Sequence, residues 1–118
     1  MAGTAEPVMT MAELGAFLDQ AFPGRANPTE LLELGPGRAL VGLDPGEANL
    51  RPGRLVSGPT LMGLADHAAY AVILAHIGPV AMAVTSNLNY SFLRAVEQKA
   101  VWCDAVLLKL GKRLATVD

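Results

Sequence analysis

Apolar residues recur along the chain with spacings that predict a helix, a hairpin and a long loop. In residues 10–22 they recur every three or four positions, which predicts an amphipathic helix that ends at Phe-Pro-Gly. Two short apolar runs, ELLELG and RALVGLD, flank Gly-Pro-Gly and predict a β-hairpin. Residues 44–59 are rich in Gly and Pro without periodicity, and long ordered loops of this kind are often functional.

The segment VSGPTLMGLADHAAYAVILAHIG, residues 56–78, predicts a second helix that is apolar on nearly all sides. Ser57 suits the N-cap, Pro59 suits the first turn, and Ile-Gly-Pro ends the helix near Ile77. A helix without a polar face is predicted to be buried. Asp66 stands out in it, because an ionised carboxylate in apolar surroundings costs several kcal/mol unless it is compensated.

Strands are predicted after this helix. Residues 80–93 alternate between apolar and small polar side chains, which predicts a long strand, and residues 99–110 predict another. RLATVD, after Gly-Lys, predicts the start of a third strand. The order of elements favours an α+β fold in which one antiparallel β-sheet wraps around a long central α-helix.

Composition narrows the class of protein. The 118 residues suit one domain, and with 52% hydrophobic but only 5% aromatic residues its core must be mainly Ala, Val and Leu. A net charge of −2 argues against a broad nucleic-acid surface. The single Cys103 suits a reducing cytoplasm. We expect no membrane span, because Asp66, His67 and His76 interrupt the longest apolar run. Two His and one Cys without clustered spacing predict no metal site.

Asp66 and Gly58 are the sharpest candidates for chemistry, although the residues alone leave a structural role open for both. Asp66 has no basic neighbour on its own helix stripe, so it is either satisfied by backbone or kept for acid–base work. The Gly58 N–H, at a helix N-terminus, can bind an anion or polarise a carbonyl, or the glycine can serve only the turn. Eight residues along a helix span about 12 Å, so the two groups can meet at one centre only across a two-fold axis between two chains.

Other residues are weaker candidates. Thr85, Asn87 and Asn89 form a polar row that can orient water or simply face solvent. Arg94 is a candidate for phosphate contacts, although surface solubility is the more usual role of such a residue. Met62 and Tyr70 are expected to line a pocket beyond Asp66. His67 points about 100° away from Asp66 around the helix, so the two are not expected to pair.

The sequence resembles the PaaI-type acyl-CoA thioesterases of the hotdog fold over residues 40–118. The resemblance rests on RPGRLVSGPTLMGLADHAAYAVILAHIG, AVTSNLNYSFLRA and LLKLGKRLA, and on the Ser-Gly-x7-Asp spacing of the helix. It implies a homodimer with a continuous sheet around two antiparallel helices, often paired into a homotetramer. It implies no metal and no cofactor other than coenzyme A within the substrate, a small acyl thioester of coenzyme A or of acyl carrier protein.

The resemblance also implies roles for individual residues. Asp66 corresponds to the family's general base or nucleophile, Gly58 to its oxyanion donor and Thr85 to its polar strand residue. A side-chain amide of the family aligns near Arg51, and Asn49 lies close enough to serve. The family's His-Gly-Gly is replaced here by Ser57-Gly58-Pro59, so Gly58 keeps an N–H, Pro59 has none and the His is absent. The candidate substrate-binding residues are thus Ser57, Asn49, Arg51, Met62, Tyr70, Asn87 and Arg94.

The predicted domain organisation follows from the same family resemblance. Residues 1–24 form an N-terminal helix, and residues 25–118 form a hotdog core that lacks the last strand or strands of its relatives. The predicted function is hydrolysis of an acyl-CoA or related thioester in the cytoplasm, without nucleic-acid or membrane partners. Two alternatives stay open, a non-catalytic hotdog domain that binds an acyl thioester and a hotdog acyl-CoA hydratase or dehydratase.

Overall fold

An antiparallel sheet with a long helix across one face makes up the structure, a computed structural model that describes residues 6–23, 29–80 and 82–118. In chain order, the elements are α1 (Met11–Ala21), β1 (Glu30–Gly35), β2 (Arg38–Leu43), a 3₁₀ helix (Glu47–Asn49), β3 (Leu50–Arg51), β4 (Leu55–Val56), α2 (Gly58–Ile77), β5 (Val101–Leu110) and β6 (Ala115–Val117). The main sheet has the order β1-β2-β5-β6, and β3 and β4 form a separate small hairpin. The predicted helices and hairpin are confirmed, as are strands within 99–110 and at the RLATVD segment. The predicted boundary between residues 24 and 25 lies outside the described residues.

The central helix α2 builds the core with only one of its faces. Its buried residues contact β2 and β5, where Val41 and Leu107 are almost fully buried. By length and apolar composition alone α2 could cross a membrane, but this packing makes it the core helix of a globule. Ala68, two residues beyond Asp66 and so about 200° around the helix, is fully buried. Asp66 therefore lies on the outer face of α2, away from the sheet.

Both helices begin at the residues that the sequence predicts. Thr10 caps α1 in a capping box, in which its hydroxyl accepts the Glu13 N–H and the Glu13 carboxylate accepts the Thr10 N–H. Ser57 caps α2 by accepting the Thr60 N–H. Gly78 ends α2 with a φ of 97°, a conformation that glycine adopts without steric cost.

The prediction of a long strand in residues 80–93 is wrong. The described part of this segment runs in irregular structure, and the only bridge nearby joins Leu55 to Glu97. Alternation predicts a strand with one buried apolar face, but Met82 and Val84 on that face are 84% and 86% exposed, so the apolar side of the pattern is not covered there. A strand also needs a neighbouring strand to pair with its backbone N–H and C=O groups. Helix α2, which lies beside this segment, offers no such backbone partners.

His76 ties the end of α2 to the β1–β2 turn. Its Nε2 accepts the Gly37 N–H at 2.9 Å, and its Nδ1 lies 2.7 Å from the Val72 carbonyl oxygen. Because a carbonyl can only accept, Nδ1 carries the proton and the buried imidazole is neutral. The ring thus satisfies a buried backbone donor in the turn and joins two elements of the core.

Replacing His76 by Leu is expected to lower the free energy of unfolding by about 1–3 kcal/mol, since the buried Gly37 N–H loses its acceptor. Urea unfolding followed by circular dichroism measures the change. His76→Gln retains an acceptor and should recover part of the loss. Equal stability of His76→Leu and the wild type would show that the bridge contributes nothing.

Candidate active site

The Asp66 carboxylate is held from one side by Thr85. The Thr85 hydroxyl donates a hydrogen bond to Asp66 Oδ1, so it leaves Oδ2 available to a ligand. Asp66 is half-buried, as are Met62 and Tyr70 on the same stripe of α2, whereas Thr85 is exposed. The resemblance implies that Thr85 is a strand residue near the carboxylate, whereas in the structure its hydroxyl contacts Asp66 from irregular backbone.

The start of α2 leaves one backbone donor available. The Ser57 hydroxyl takes the Thr60 N–H at 3.3 Å, and Pro59 has no N–H. The Gly58 N–H has no partner in the described part of the chain, as expected for the first turn of a helix. It lies at the positive end of the helix dipole of α2, which favours a developing negative charge.

Phe92 covers this helix start and was not singled out in the sequence. A Cβ placed on Gly58 would lie 3.4 Å from two atoms of the Phe92 ring, so the glycine lets the ring approach the helix closely. Tyr90 stacks against Phe92 with ring centroids 4.5 Å apart. In the sequence, the two aromatic residues of NYSF are the only sign of this contact. In the structure they give the Gly58 N–H an apolar neighbour.

Asn49 supports the helix start mainly through its backbone. Its carbonyl accepts the Ser57 N–H at 2.8 Å and the Thr60 hydroxyl at 3.3 Å, while its side-chain Oδ1 accepts the Gly46 N–H at 2.9 Å. The amide oxygen expected near Arg51 is therefore engaged in the loop. Arg51 itself is exposed on β3.

Asn87 and Arg94 are both exposed in the irregular segment that follows α2. Arg94 lies two residues beyond Phe92, on the same stretch of chain that covers the start of α2. Of the predicted polar residues of this segment, the structure brings only Thr85 to the carboxylate of Asp66.

His67 and Tyr70 form an aromatic cluster with Phe22, the residue that caps α1. The Phe22 ring lies 5.6 Å from the His67 ring and 5.4 Å from the Tyr70 ring, both edge to face. Burial raises the pKa of the Tyr70 hydroxyl, which therefore stays protonated at neutral pH. His67 thus contacts Phe22 at the end of α1, on a different side of α2 from Asp66.

Gly58 and Asp66 lie on one continuous helix, about 12 Å apart along its axis. Two of the cavities among the described residues have volumes of about 190 and 150 Å³, and the lining of neither includes Gly58 or Asp66. Within one chain, the Gly58 N–H and the Asp66 carboxylate are therefore too far apart to act on the same atom. Among the described residues, no three His, Cys, Asp or Glu side chains gather in a way that could hold a metal ion.

Comparison with known proteins decides the family. The thioesterase superfamily model matches residues 53–118, more than half of the chain. A candidate thioesterase from Silicibacter sp. TM1040 is 39% identical, with a TM-score of 0.87, over 98% of this chain and 80% of its own. The chain belongs to the thioesterase superfamily. The match covers both Gly58 and Asp66 and places the chain among the hotdog thioesterases of PaaI type.

Further relatives agree with this assignment. A mutant of the phenylacetic acid degradation protein PaaI from Thermus thermophilus is 28% identical, with a TM-score of 0.66, over 75% of each chain. Zebra fish thioesterase superfamily member 2 is 19% identical, with a TM-score of 0.78, over 92% of this chain and 83% of its own, which shows the shared fold. No curated protein sequence matches the chain.

Proposed function

We propose that this thioesterase hydrolyses an acyl-CoA, or a related acyl thioester, to a free acid and a thiol. The observation that carries the proposal is the Asp66 carboxylate, which is half-buried on an apolar helix face and held by Thr85. An acidic group in such a place is suited to activating water or attacking a carbonyl carbon.

Two routes fit the carboxylate. As a general base, Asp66 takes a proton from water while the water oxygen bonds to the thioester carbon, and the carbon–sulfur bond then breaks. The proton passes on to the leaving thiolate. As a nucleophile, Asp66 Oδ2 bonds to the carbon and expels the thiolate, and water then hydrolyses the resulting anhydride. The Thr85 hydrogen bond fixes the orientation of the carboxylate in either route.

The Gly58 N–H supplies the second requirement, a donor to the carbonyl oxygen as it becomes negative. The positive end of the α2 dipole and the apolar Phe92 ring strengthen such a hydrogen bond. Ser57, the exposed Arg51 and the exposed Arg94 lie toward the same end of α2 and are proposed to bind the thioester's polar part. The proposal uses no metal and no cofactor beyond the coenzyme A of the substrate.

The complete site is proposed to form between two chains. With Gly58 and Asp66 about 12 Å apart on one helix, an antiparallel partner helix can bring its own Gly58 to Asp66. The outer face of α2 supports this arrangement, because Met62 and Tyr70 are only half-buried there. The exposed Met82 and Val84 add apolar surface that a second copy can cover. A homodimer, with homotetramers as a further step, is the proposed assembly.

The alternatives are less well supported. A hydratase or dehydratase would need a second acid–base group beside Asp66, but His67 faces Phe22. A non-catalytic acyl-thioester-binding domain is the second candidate, favoured by Pro59, which removes one backbone donor from the helix start. We also propose a cytoplasmic location, in keeping with the reduced Cys103.

A panel of acyl-CoA thioesters, with release of the free thiol followed by a chromogenic thiol reagent, tests the function. Turnover of at least one member with kcat/KM above about 10⁴ M⁻¹s⁻¹ is expected for an enzyme on its substrate. Tight binding of acyl-CoA without thiol release would instead identify the binding domain. Hydration of an unsaturated acyl-CoA without thiol release would identify the hydratase.

Cys103 is expected not to disturb this assay. Burial, aided by the neighbouring Asp104 carboxylate, raises the pKa of the Cys103 thiol, so less thiolate is present at the pH of the reaction. Native protein should therefore react with the reagent at least about tenfold more slowly than protein unfolded in urea at the same pH. Equal rates for native and unfolded protein would contradict the protection, and Cys103→Ser gives the blank.

A further inference from the structure

The backbone of Arg54 is strained. At the turn between β3 and β4 its φ is 56°, a left-handed conformation that a residue with a Cβ adopts only at an energetic cost. Glycine adopts it freely, as Gly53 does beside it with a φ of 91°. Among the non-glycine residues that the structure describes, only Arg54 has a positive φ. An arginine held in this conformation indicates that its side chain has a role at this place.

The Arg54 guanidinium joins two distant segments of the chain. Its Nη2 donates to Glu47 Oε1 at 2.9 Å and to Gln98 Oε1 at 2.7 Å. The Gln98 amide in turn donates from Nε2 to the Pro45 carbonyl oxygen at 3.2 Å. The side chains of Arg54 and Glu47 are 65% and 76% exposed, and an exposed ion pair adds little to stability. The contacts therefore serve chiefly to fix the segment at Gln98 against the loop before β3.

The loop that Arg54 holds through Glu47 supports the start of α2 from one side. Glu47 begins the 3₁₀ helix that ends at Asn49. The Asn49 carbonyl accepts the Ser57 N–H at 2.8 Å, immediately before Gly58. The position of Glu47 therefore affects the residue that caps α2.

The segment at Gln98 reaches the same helix start from the other side. Two residues before Gln98, the Val96 carbonyl accepts the Val56 N–H at 2.7 Å, which joins this segment to β4. Phe92, four residues before Val96, places its ring over Gly58. The contact of Phe92 with the helix start thus depends on how firmly this segment is held.

We propose that Arg54 is a positioning residue that holds the Phe92 segment against the start of α2. Its two hydrogen bonds keep the Phe92 ring over the Gly58 N–H, so that water is excluded where this N–H meets the carbonyl oxygen of the substrate. A hydrogen bond to a developing negative charge is stronger when water is excluded from it. Arg54 itself does not touch the thioester. This inference rests on the proposed thioesterase function.

Arg54→Gly is expected to lower kcat about three- to tenfold, less than the loss of the donor itself, without lowering Tm. Glycine removes the two hydrogen bonds, but it adopts the φ of 56° without cost, so the turn is not weakened. A merely structural role predicts the reverse, a lower Tm and an unchanged kcat at temperatures well below Tm. Arg54→Lys keeps a cationic donor nitrogen and should recover part of kcat. Arg113→Gly, which removes another exposed arginine between β5 and β6, is the matched control and should leave kcat unchanged.

A double-mutant cycle tests whether Arg54 acts through Phe92. If it does, the variant with both Arg54→Gly and Phe92→Ala should have a kcat within about twofold of Phe92→Ala alone, because the ring is already gone. Losses that multiply would show that Arg54 acts independently of Phe92, and this would overturn the inference. Unchanged kcat in Arg54→Gly would overturn it as well, while the thioesterase function would stand.

Hydrogen exchange at the Val56 amide, followed by NMR, tests the inference without any turnover. The Val56 N–H donates to the Val96 carbonyl, so its exchange rate reports how firmly the segment is held. Whether or not the protein hydrolyses a thioester, exchange is expected to be at least about threefold faster in Arg54→Gly and in Gln98→Ala than in the wild type. Arg113→Gly should match the wild type. Equal exchange in all four proteins would overturn the inference.

Discussion

Asp66→Asn is expected to lower kcat for thioester hydrolysis by about 10²- to 10⁴-fold, the range that a positioned general base contributes. The amide has nearly the same shape, and its oxygen can still accept the hydrogen bond from Thr85. It can neither take a proton from water nor attack the carbonyl carbon. Because the shape is kept, the variant should fold and assemble as the wild type does, and circular dichroism with size-exclusion chromatography verifies this.

Asp104→Asn is the matched control for this change. Asp104 carries the same side chain and also has a partner, Arg38 at 2.7 Å, but it is exposed on the face of β5 opposite the core. The control should keep full activity. A folded Asp66→Asn variant with wild-type turnover would show that Asp66 has no part in the mechanism, independently of the roles of the other residues.

Gly58→Pro is expected to lower kcat by about 10²- to 10³-fold, the usual effect of losing one oxyanion donor. Proline removes the N–H, adds a ring whose Cβ lies beside Phe92, and is tolerated at the first position of a helix. The Ser57 backbone, with ψ of 150°, already has the extended conformation that precedes a proline. KM should change less than kcat, because the donor acts on charge that develops during the reaction.

Gly58→Ala separates the lost donor from the added bulk. Both variants place a Cβ beside Phe92 and before Pro59, so they share the steric cost of that atom, and only Gly58→Pro lacks the N–H. We expect Gly58→Ala to keep most of the activity. Similar losses in both variants would mean that the glycine serves only to admit the Phe92 ring.

The sequence predicted the elements whose signals are local. The capping residues Thr10 and Ser57 and the terminal Gly78 define their helix ends through contacts within a few positions. The Gly-Pro-Gly turn likewise places β1 against β2. The hypothesis about Asp66 also came from local information, namely a carboxylate on an otherwise apolar helix, together with the family resemblance.

Features that depend on distant partners were not predictable in this way. Residues 80–93 alternate like a strand, but alternation does not supply the neighbouring backbone that a strand needs. The bridge from His76 to Gly37 joins positions 39 residues apart, and the hydrogen bonds of Arg54 require three segments to meet. The contact of Phe92 with Gly58 depends on the path of the irregular segment after α2.

The central claim is that Asp66 of one chain and Gly58 of its partner form one active site. The Asp66→Asn and Gly58→Pro chains are co-expressed with two different tags, and tandem purification isolates the heterodimers. Each heterodimer then contains one intact site and one site that carries both changes. The account predicts about half of the wild-type activity per dimer, from two variants that are each nearly inactive alone. Activity that stays at the level of the separate variants would contradict it, because a site built within one chain cannot be restored by mixing.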